Sequence, residues 1–328
     1  MATEPNESTQ RNTLVVRKPC FGLPTGCPQC LSAYIFLKLS QFPFNLDYHP
    51  NYPDSDQIPY FEVGDSVTYN NEKEGIIECL KRNVDDDLDT GVSSLPDWIT
   101  TKVMLTTWLA DALEYELWVG CDGSSAYNIY YSDLPWPIGK ILFWKKAYWV
   151  NQKHGISKDN AEVKEEEIYG RANSAYDALS TWLGEQNFLF ENRPSSLDAI
   201  FLAHALVVLQ ALPESSILQT SFLEHANLVR YVQRCKTELI EAGTSASNGP
   251  DFHADPSSSA SRGRSTSSSK PRTKPKRQPP TKEEKTFKRR AKYFVIAQLV
   301  AVVLFVSVIS GYRNNADVEL DDDDLGHE

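Results

Sequence analysis

Residues 193–212 read Arg-Pro-Ser-Ser-Leu-Asp-Ala-Ile-Phe-Leu-Ala-His-Ala-Leu-Val-Val-Leu-Gln-Ala-Leu. Ser195 offers an oxygen to the free N–H groups of a helix start, and Asp198, three residues on, can reach back to the cap amide. From Leu197 to Leu212 the segment is apolar nearly all round, which predicts a helix running through the core of a domain. His204 within it reads as a satisfied core histidine rather than a ligand.

Two more helical periodicities precede this segment. Ile99, Val103, Thr106, Ala110, Leu113 and Leu117 recur at helical spacing, as do Ile168, Ala172, Ala175, Leu179, Trp182 and Leu183. Residues 96–243 therefore read as an all-helical domain. Upstream the period changes. The apolar run Leu14–Val16 predicts a strand, and Pro28 followed by Leu31 to Leu39 predicts a helix. Phe44–Tyr48 reads as a second strand, and Ile58-Pro59-Tyr60-Phe61-Glu62-Val63 turns through Gly64-Asp65 into Ser66–Tyr69 as a hairpin. Glu72–Arg82 supplies the closing helix. The order βαβββα over residues 13–83 is that of an α/β thioredoxin-like domain, with Pro59 where that fold keeps a cis peptide. Residues 84–95 form an acidic linker, and residues 1–12 a disordered N-terminus.

The chain has 328 residues, 41% hydrophobic, with a net charge of −11 that is unevenly distributed. Residues 1–250 hold 19 Lys and Arg against 33 Asp and Glu, whereas residues 262–292 hold 13 basic residues against Glu283 and Glu284. An acidic body on a basic neck excludes a nucleic-acid-binding globule and points to contact with anionic lipid. With six cysteines in this length and a polar start, Met1–Gln10, a reducing compartment is expected and no disulfide framework is assumed. Residues 244–292, rich in Ser, Pro, Arg and Lys, read as a disordered tether. Between Tyr293 and Tyr312 the sequence carries no formal charge, and its 20 residues reach about 30 Å as a helix, the thickness of a hydrocarbon core. Basic charge before this segment and the acidic tail 313–328 after it place the large domain in the cytosol. The expectation is a single-pass tail anchor inserted after translation, in the mitochondrial outer, endoplasmic reticulum or peroxisomal membrane.

A thioredoxin-like domain joined to an all-helical domain whose central helix opens Pro-Ser-x-x-Asp resembles the glutathione transferase fold, over residues 13–240. Asn227-Leu-Val-Arg-Tyr-Val-Gln-Arg234 is similar to the Asn-Leu-x-x-Tyr/Trp-x-x-Arg element that follows that helix. Together with the aromatic segment around Trp136-Pro137 and the C-terminal anchor, Arg193–Asp198 resembles the metaxins in their plant form. The resemblance implies a noncatalytic adaptor or receptor subunit of the mitochondrial sorting and assembly machinery, which inserts β-barrel precursors into the outer membrane. Its implied partners are the insertase with its subunits and the precursors themselves, with no nucleic acid and no cofactor. Glutathione transferases grip the γ-glutamyl end of glutathione with a Glu/Gln-Ser pair; here the corresponding positions are Glu72 and Lys73, so the serine is missing.

Cys27-Pro28-Gln29-Cys30 resembles the Cys-Pro-x-Cys of glutaredoxins and falls at the start of a helix, where amides and dipole favour a thiolate. The alternative function is accordingly a tail-anchored, glutaredoxin-like or glutathione-dependent thiol oxidoreductase, with Cys27 as nucleophile and Cys30 as resolving thiol. The plainer reading is a helix begun by Pro28 with two packing cysteines. A zinc site from Cys20, Cys27, Cys30 and His49 lacks a second CxxC, so no metal is expected. From Tyr127 to Trp149 the chain is unusually aromatic. Core and interdomain packing are expected to take most of these rings, leaving Trp136, Trp144 and Trp149 as the candidate partner patch.

Overall fold

The computed structural model describes residues 12–49, 56–64, 66–72, 75–84, 88–190 and 193–241. The tether, the apolar segment between Tyr293 and Tyr312, the acidic tail and residues 1–11 lie outside the described residues. Among the described residues no helix is long and apolar enough to cross a membrane.

The N-terminal part runs β1 (Thr13–Val16), α1 (Pro28–Leu39), β2 (Asn45–Tyr48), β3 (Tyr60–Val63), β4 (Ser66–Tyr69) and α2 (Gly75–Asn83). The sheet order is β2-β1-β3-β4, with β1 parallel to β2 and antiparallel to β3. A parallel pair needs a crossover, and α1 provides it. Leu14 on β1 stands opposite Leu46 and Phe61, and both Leu14 and Phe61 are fully buried. The Ile58–Pro59 peptide, leading into β3, is cis. This is a thioredoxin-like α/β unit, and the βαβββα order follows from short apolar runs separated by Pro- and Gly-bearing turns.

The segment joining the two halves is not loose where it is described. Leu88 and Asp89 are buried, and Asp89 takes an ion pair from Lys81 at 2.5 Å. Its carboxylate also accepts the backbone N–H and hydroxyl of Ser196 at 2.8 and 2.6 Å. The acidic composition of 84–95 thus conceals one aspartate that bolts α2 to the helical half.

The helical half contains α3 (Pro96–Met104), α4 (Ala110–Tyr115), α5 (Ser124–Tyr130), α6 (Ile138–Lys153), α7 (Ala161–Leu183), α8 (Ser196–Ala211), α9 (Ile217–Leu223) and α10 (Ala226–Lys236). Wide π-helical turns at Leu105–Leu109 and Glu116–Gly120 follow α3 and α4. They correct one expectation: Ile99, Val103, Thr106 and Ala110 face solvent, while Trp98, Thr101, Leu105, Leu109, Leu113 and Leu117 are buried. Each π turn inserts residues beyond the 3.6 period, so a single stripe cannot run from Ile99 to Leu117. On α7 the stripe Ile168, Ala172, Ala175, Leu179 and Leu183 is buried; Trp182 is 40% exposed, its indole N–H donating to the Leu189 carbonyl at 2.6 Å.

α8 is enclosed on nearly every side and packs along α1, itself buried from Cys30 to Leu37. Its start is held by four donors to one carboxylate. Asp198 accepts the Ser195 N–H at 2.8 Å, the Ser195 hydroxyl at 2.7 Å, the Leu189 N–H at 2.9 Å and the Tyr231 hydroxyl at 2.6 Å. Burial pushes the Asp198 carboxyl up, against the pull of those donors. Tyr231 comes from the Asn227–Arg234 element on α10, whose Asn227 exchanges hydrogen bonds with Ser180 of α7. His204 bonds Tyr176 at 2.7 Å deep in this core, and burial drives its pKa down to about 3.

Candidate functional site

Pro28 opens α1 because a first-turn residue needs no donor, and Cys27 is the extended residue at its cap. That geometry puts the Cys27 sulfur at the helix N-terminus and Cys30 one turn inside. Four groups converge on the sulfur. The Cys30 thiol and backbone N–H come from α1 itself, and the Arg17 guanidinium comes from the chain leaving β1. The Tyr130 hydroxyl, at 3.6 Å, comes from the end of α5. Arg17 is buried and lies 4.8 Å over the Tyr130 ring, so the same tyrosine both donates to the sulfur and stacks under the cation. The hydrogen bond from Cys30 holds the Cys27 thiol well below the usual range, outweighing burial with help from Arg17 and Tyr130. Burial pushes Cys30 the other way, and the negative charge on Cys27 adds to it. Both cysteines are free thiols.

Cys27 borders a cleft of about 510 Å³ between the two halves, with Arg17, Ile58 and Asn70 on one wall and Glu114, Trp118 and Tyr130 on the other. Glu114 is spanned by Lys153 at 2.6 Å and Lys146 at 3.3 Å, and Asp111 by Lys153 at 3.0 Å. With His154 these carboxylates converge closely enough for a metal, but the lysine ammoniums already occupy them. Cys20 points elsewhere, toward the Asn128 carbonyl, and does not join Cys27, Cys30 and His49 in a cluster. The Glu72 carboxylate is taken up by its own segment: it accepts the Tyr69 N–H at 3.0 Å and the Cys79 thiol at 3.4 Å. The neighbouring Lys73 lies outside the described residues.

The aromatic segment divides. Tyr131 is buried, and Trp118 gathers Tyr130, Tyr131 and Phe143 at ring separations of 5.1 to 5.9 Å. Gly123, at φ 69°, is needed here, because a side chain on it would run into Phe143. The remainder faces solvent. Trp136 is 76% exposed, Trp144 67%, Tyr148 66% and Trp149 52%, with Ile138 and Ile141 exposed among them. On α6 the residues Ile138, Ile141, Trp144, Tyr148 and Trp149 fall along one side, since steps of three and four residues keep a helix face. Lys145 shares the side, and Lys146 reaches across to the Trp149 ring at 4.3 Å. Packing therefore takes fewer of the rings than expected, and α6 carries its largest apolar side chains outward. Lys146 and Lys153 on the same helix reach the cleft, which neither the CPQC motif nor the aromatic content signals.

A thioredoxin-like unit whose first helix packs on the capped central helix of an all-helical unit defines the glutathione transferase class of fold. Family models agree: residues 28–123 match the glutathione S-transferase N-terminal domain, and residues 172–235 the glutathione S-transferase C-terminal domain. The chain is 51% identical over 321 residues, 98% of its own length and 99% of the relative's, to the "Mitochondrial outer membrane import complex protein METAXIN" of Arabidopsis thaliana. It is 24% identical over 222 residues to Metaxin-2 of Mus musculus, covering 64% of this chain and 81% of that one. The chain belongs to the metaxin family. A glutathione S-transferase structure from Ceriporiopsis subvermispora covers 69% of this chain and 97% of its own at 10% identity, with a TM-score of 0.49.

Proposed function

We propose that the protein is an adaptor of a mitochondrial outer-membrane import complex, facing the cytosol and aiding insertion of β-barrel precursors by the sorting and assembly machinery. The observation that carries this reading is the outward apolar side of α6 continued by Trp136. A monomer that leaves three tryptophans and a tyrosine largely in water on one helix and its leading loop has a surface built to be covered. Tyr and Trp lose little conformational freedom on binding, and they suit an extended, amphipathic β-strand that has not yet found its sheet. The Arabidopsis relative's import-complex name fits the same work. Binding alone does that work, without turnover, and the engagement of Glu72 by Tyr69 and Cys79 fits a cleft not shaped for glutathione's amino acid end.

The uncharged 20 residues from Tyr293 to Tyr312, preceded by Lys288, Arg289, Arg290 and Lys292, supply the tail anchor in this proposal. Anchoring concentrates the α6 surface at the membrane where precursors arrive. The test is to solubilise mitochondria in mild detergent, isolate the full chain through a tag on its cytosolic end and identify what accompanies it. Recovery of the β-barrel insertase supports the adaptor reading. Absence of the chain from mitochondria, or a chain recovered without any outer-membrane import component, overturns it.

A further inference from the structure

We infer that Cys27 and Cys30 form a thiol–disulfide exchange site, whose substrate is a disulfide slender enough to enter the cleft between the two halves of the fold.

The adaptor reading makes no use of these cysteines, and this inference stands whether or not that reading does. A cysteine that merely fills space sits among apolar groups and is inert. Cys27 instead collects a guanidinium, a phenol hydroxyl, a second thiol and a helix N-terminal amide, drawn from the chain after β1, from α5 and from α1. Tyr130 is separated from Cys27 by 103 positions, so folding, and not local sequence, assembles the donors. Every one of them stabilises a thiolate over a thiol. The resolving partner is in place one turn along α1, and the cleft brings solvent-accessible space of about 510 Å³ to the first sulfur, a volume suited to a small ligand. Cys27 is only 2% exposed, which excludes a disulfide on the surface of a folded protein and admits a small molecule or an extended peptide.

The exchange balances as follows. The Cys27 thiolate attacks one sulfur of the substrate disulfide, the substrate S–S bond breaks, and its other sulfur leaves as a thiolate that takes a proton. The charge that kept the proton on Cys30 is consumed in this step. Cys30 then loses its proton and attacks the Cys27 sulfur, expelling the second substrate thiol. The protein has given up two electrons and the Cys30 proton and holds a Cys27–Cys30 disulfide; with one further proton from solvent, replacing the one Cys27 had already released, the substrate disulfide has become two thiols. Two equivalents of a small thiol, themselves oxidised to a disulfide, reverse the process.

The experiment uses the full chain in detergent micelles. Alkylation of Cys27 by iodoacetamide, read by peptide mass, is followed from pH 6 to pH 8. The expected rate changes less than twofold, whereas an ordinary thiol of pKa about 8.5 accelerates about 80-fold over that range. In parallel the reduced chain is exposed to bis(2-hydroxyethyl) disulfide or to a short disulfide-bridged peptide, and the Cys27–Cys30 peptide is examined for loss of two hydrogens. Oxidation by the small disulfide alone assigns a small-molecule substrate; oxidation by both admits an extended chain. Cys30→Ser should trap a mixed disulfide on Cys27, and Cys27→Ser should abolish the reaction. Because Cys30 is fully buried, the wild-type mass measurement decides the matter if that variant fails to fold. An alkylation rate that climbs with pH like an ordinary thiol, or a chain left reduced by both disulfides, overturns the inference.

Discussion

Replacing Trp144 by alanine tests the outward side of α6 directly. The ring is 67% exposed. A tryptophan side chain offers up to about 250 Å², so about 170 Å² is free for a partner to cover. At about 25 cal/mol per Å² that is a gross gain of up to about 4 kcal/mol. Immobilising the side chain and imperfect complementarity remove part of it, which leaves about 2 kcal/mol, or about 30-fold in Kd. Stability should hardly change: the third of the ring hidden in the fold is comparable with the roughly 10–40% that an unfolded chain already hides. The assay is a binding titration of the detergent-solubilised full chain against a labelled β-hairpin peptide from a β-barrel precursor, with thermal melting of both proteins as control. Wild-type affinity in W144A refutes the docking role, and so does a melting temperature lower by more than about 5 °C, because that would make Trp144 a packing residue.

Four further outcomes follow from the same geometry. Trp136→Ala, at the loop leading into α6, should weaken the same titration by a similar factor, and a double variant with Trp144→Ala should lose more than either. Tyr130→Phe removes one donor to the Cys27 sulfur, so the midpoint of Cys27 alkylation with pH should move upward; an unmoved midpoint would detach Tyr130 from the thiolate. His204 stays neutral in the fold to about pH 3, while in the unfolded chain it takes a proton near pH 6.5, so its share of stability is lost as pH falls. Between pH 7.5 and pH 5 the loss should be about 2 kcal/mol in denaturant titrations, and His204→Gln should remove that slope. Asp198→Ala strands two buried N–H groups and the Ser195 and Tyr231 hydroxyls, with an expected cost of about 3–5 kcal/mol in chemical denaturation; a loss under about 1 kcal/mol would mean water takes over the cap.

The α8 cap was legible because its chemistry is local: Ser195 and Asp198 are three residues apart, and a capping box needs nothing else. The βαβββα order of elements along the chain was legible for a similar reason, since short apolar runs in the N-terminal half are divided by Pro and Gly. Periodicity failed where the backbone departs from the ideal period: the π turn after Met104 lies between Ile99 and Val103, which face solvent, and Leu113, which enters the core. It failed again on α6, because a pattern of large apolar residues does not say whether their side meets the protein or the solvent. The CPQC motif was visible, but Arg17 and Tyr130 were not: they meet Cys27 only after β1, α1 and α5 have been brought together. Asp89 was hidden by its neighbours, one acid in an acidic run whose composition does not signal a buried carboxylate bonded to Ser196.

The contact of α1 with α8 bears on how the chain is made as well as on how it holds together. Residues 28–39 emerge from the ribosome early, yet one of their principal packing surfaces is supplied by residues 196–211. Until those later residues appear, the N-terminal half has its strands and its motif but an open flank of Leu, Ile and Phe side chains. Vectorial synthesis therefore keeps the first third of the protein waiting on the last helices of the described chain, and for that interval α1 depends on whatever in the cytosol shields apolar surface.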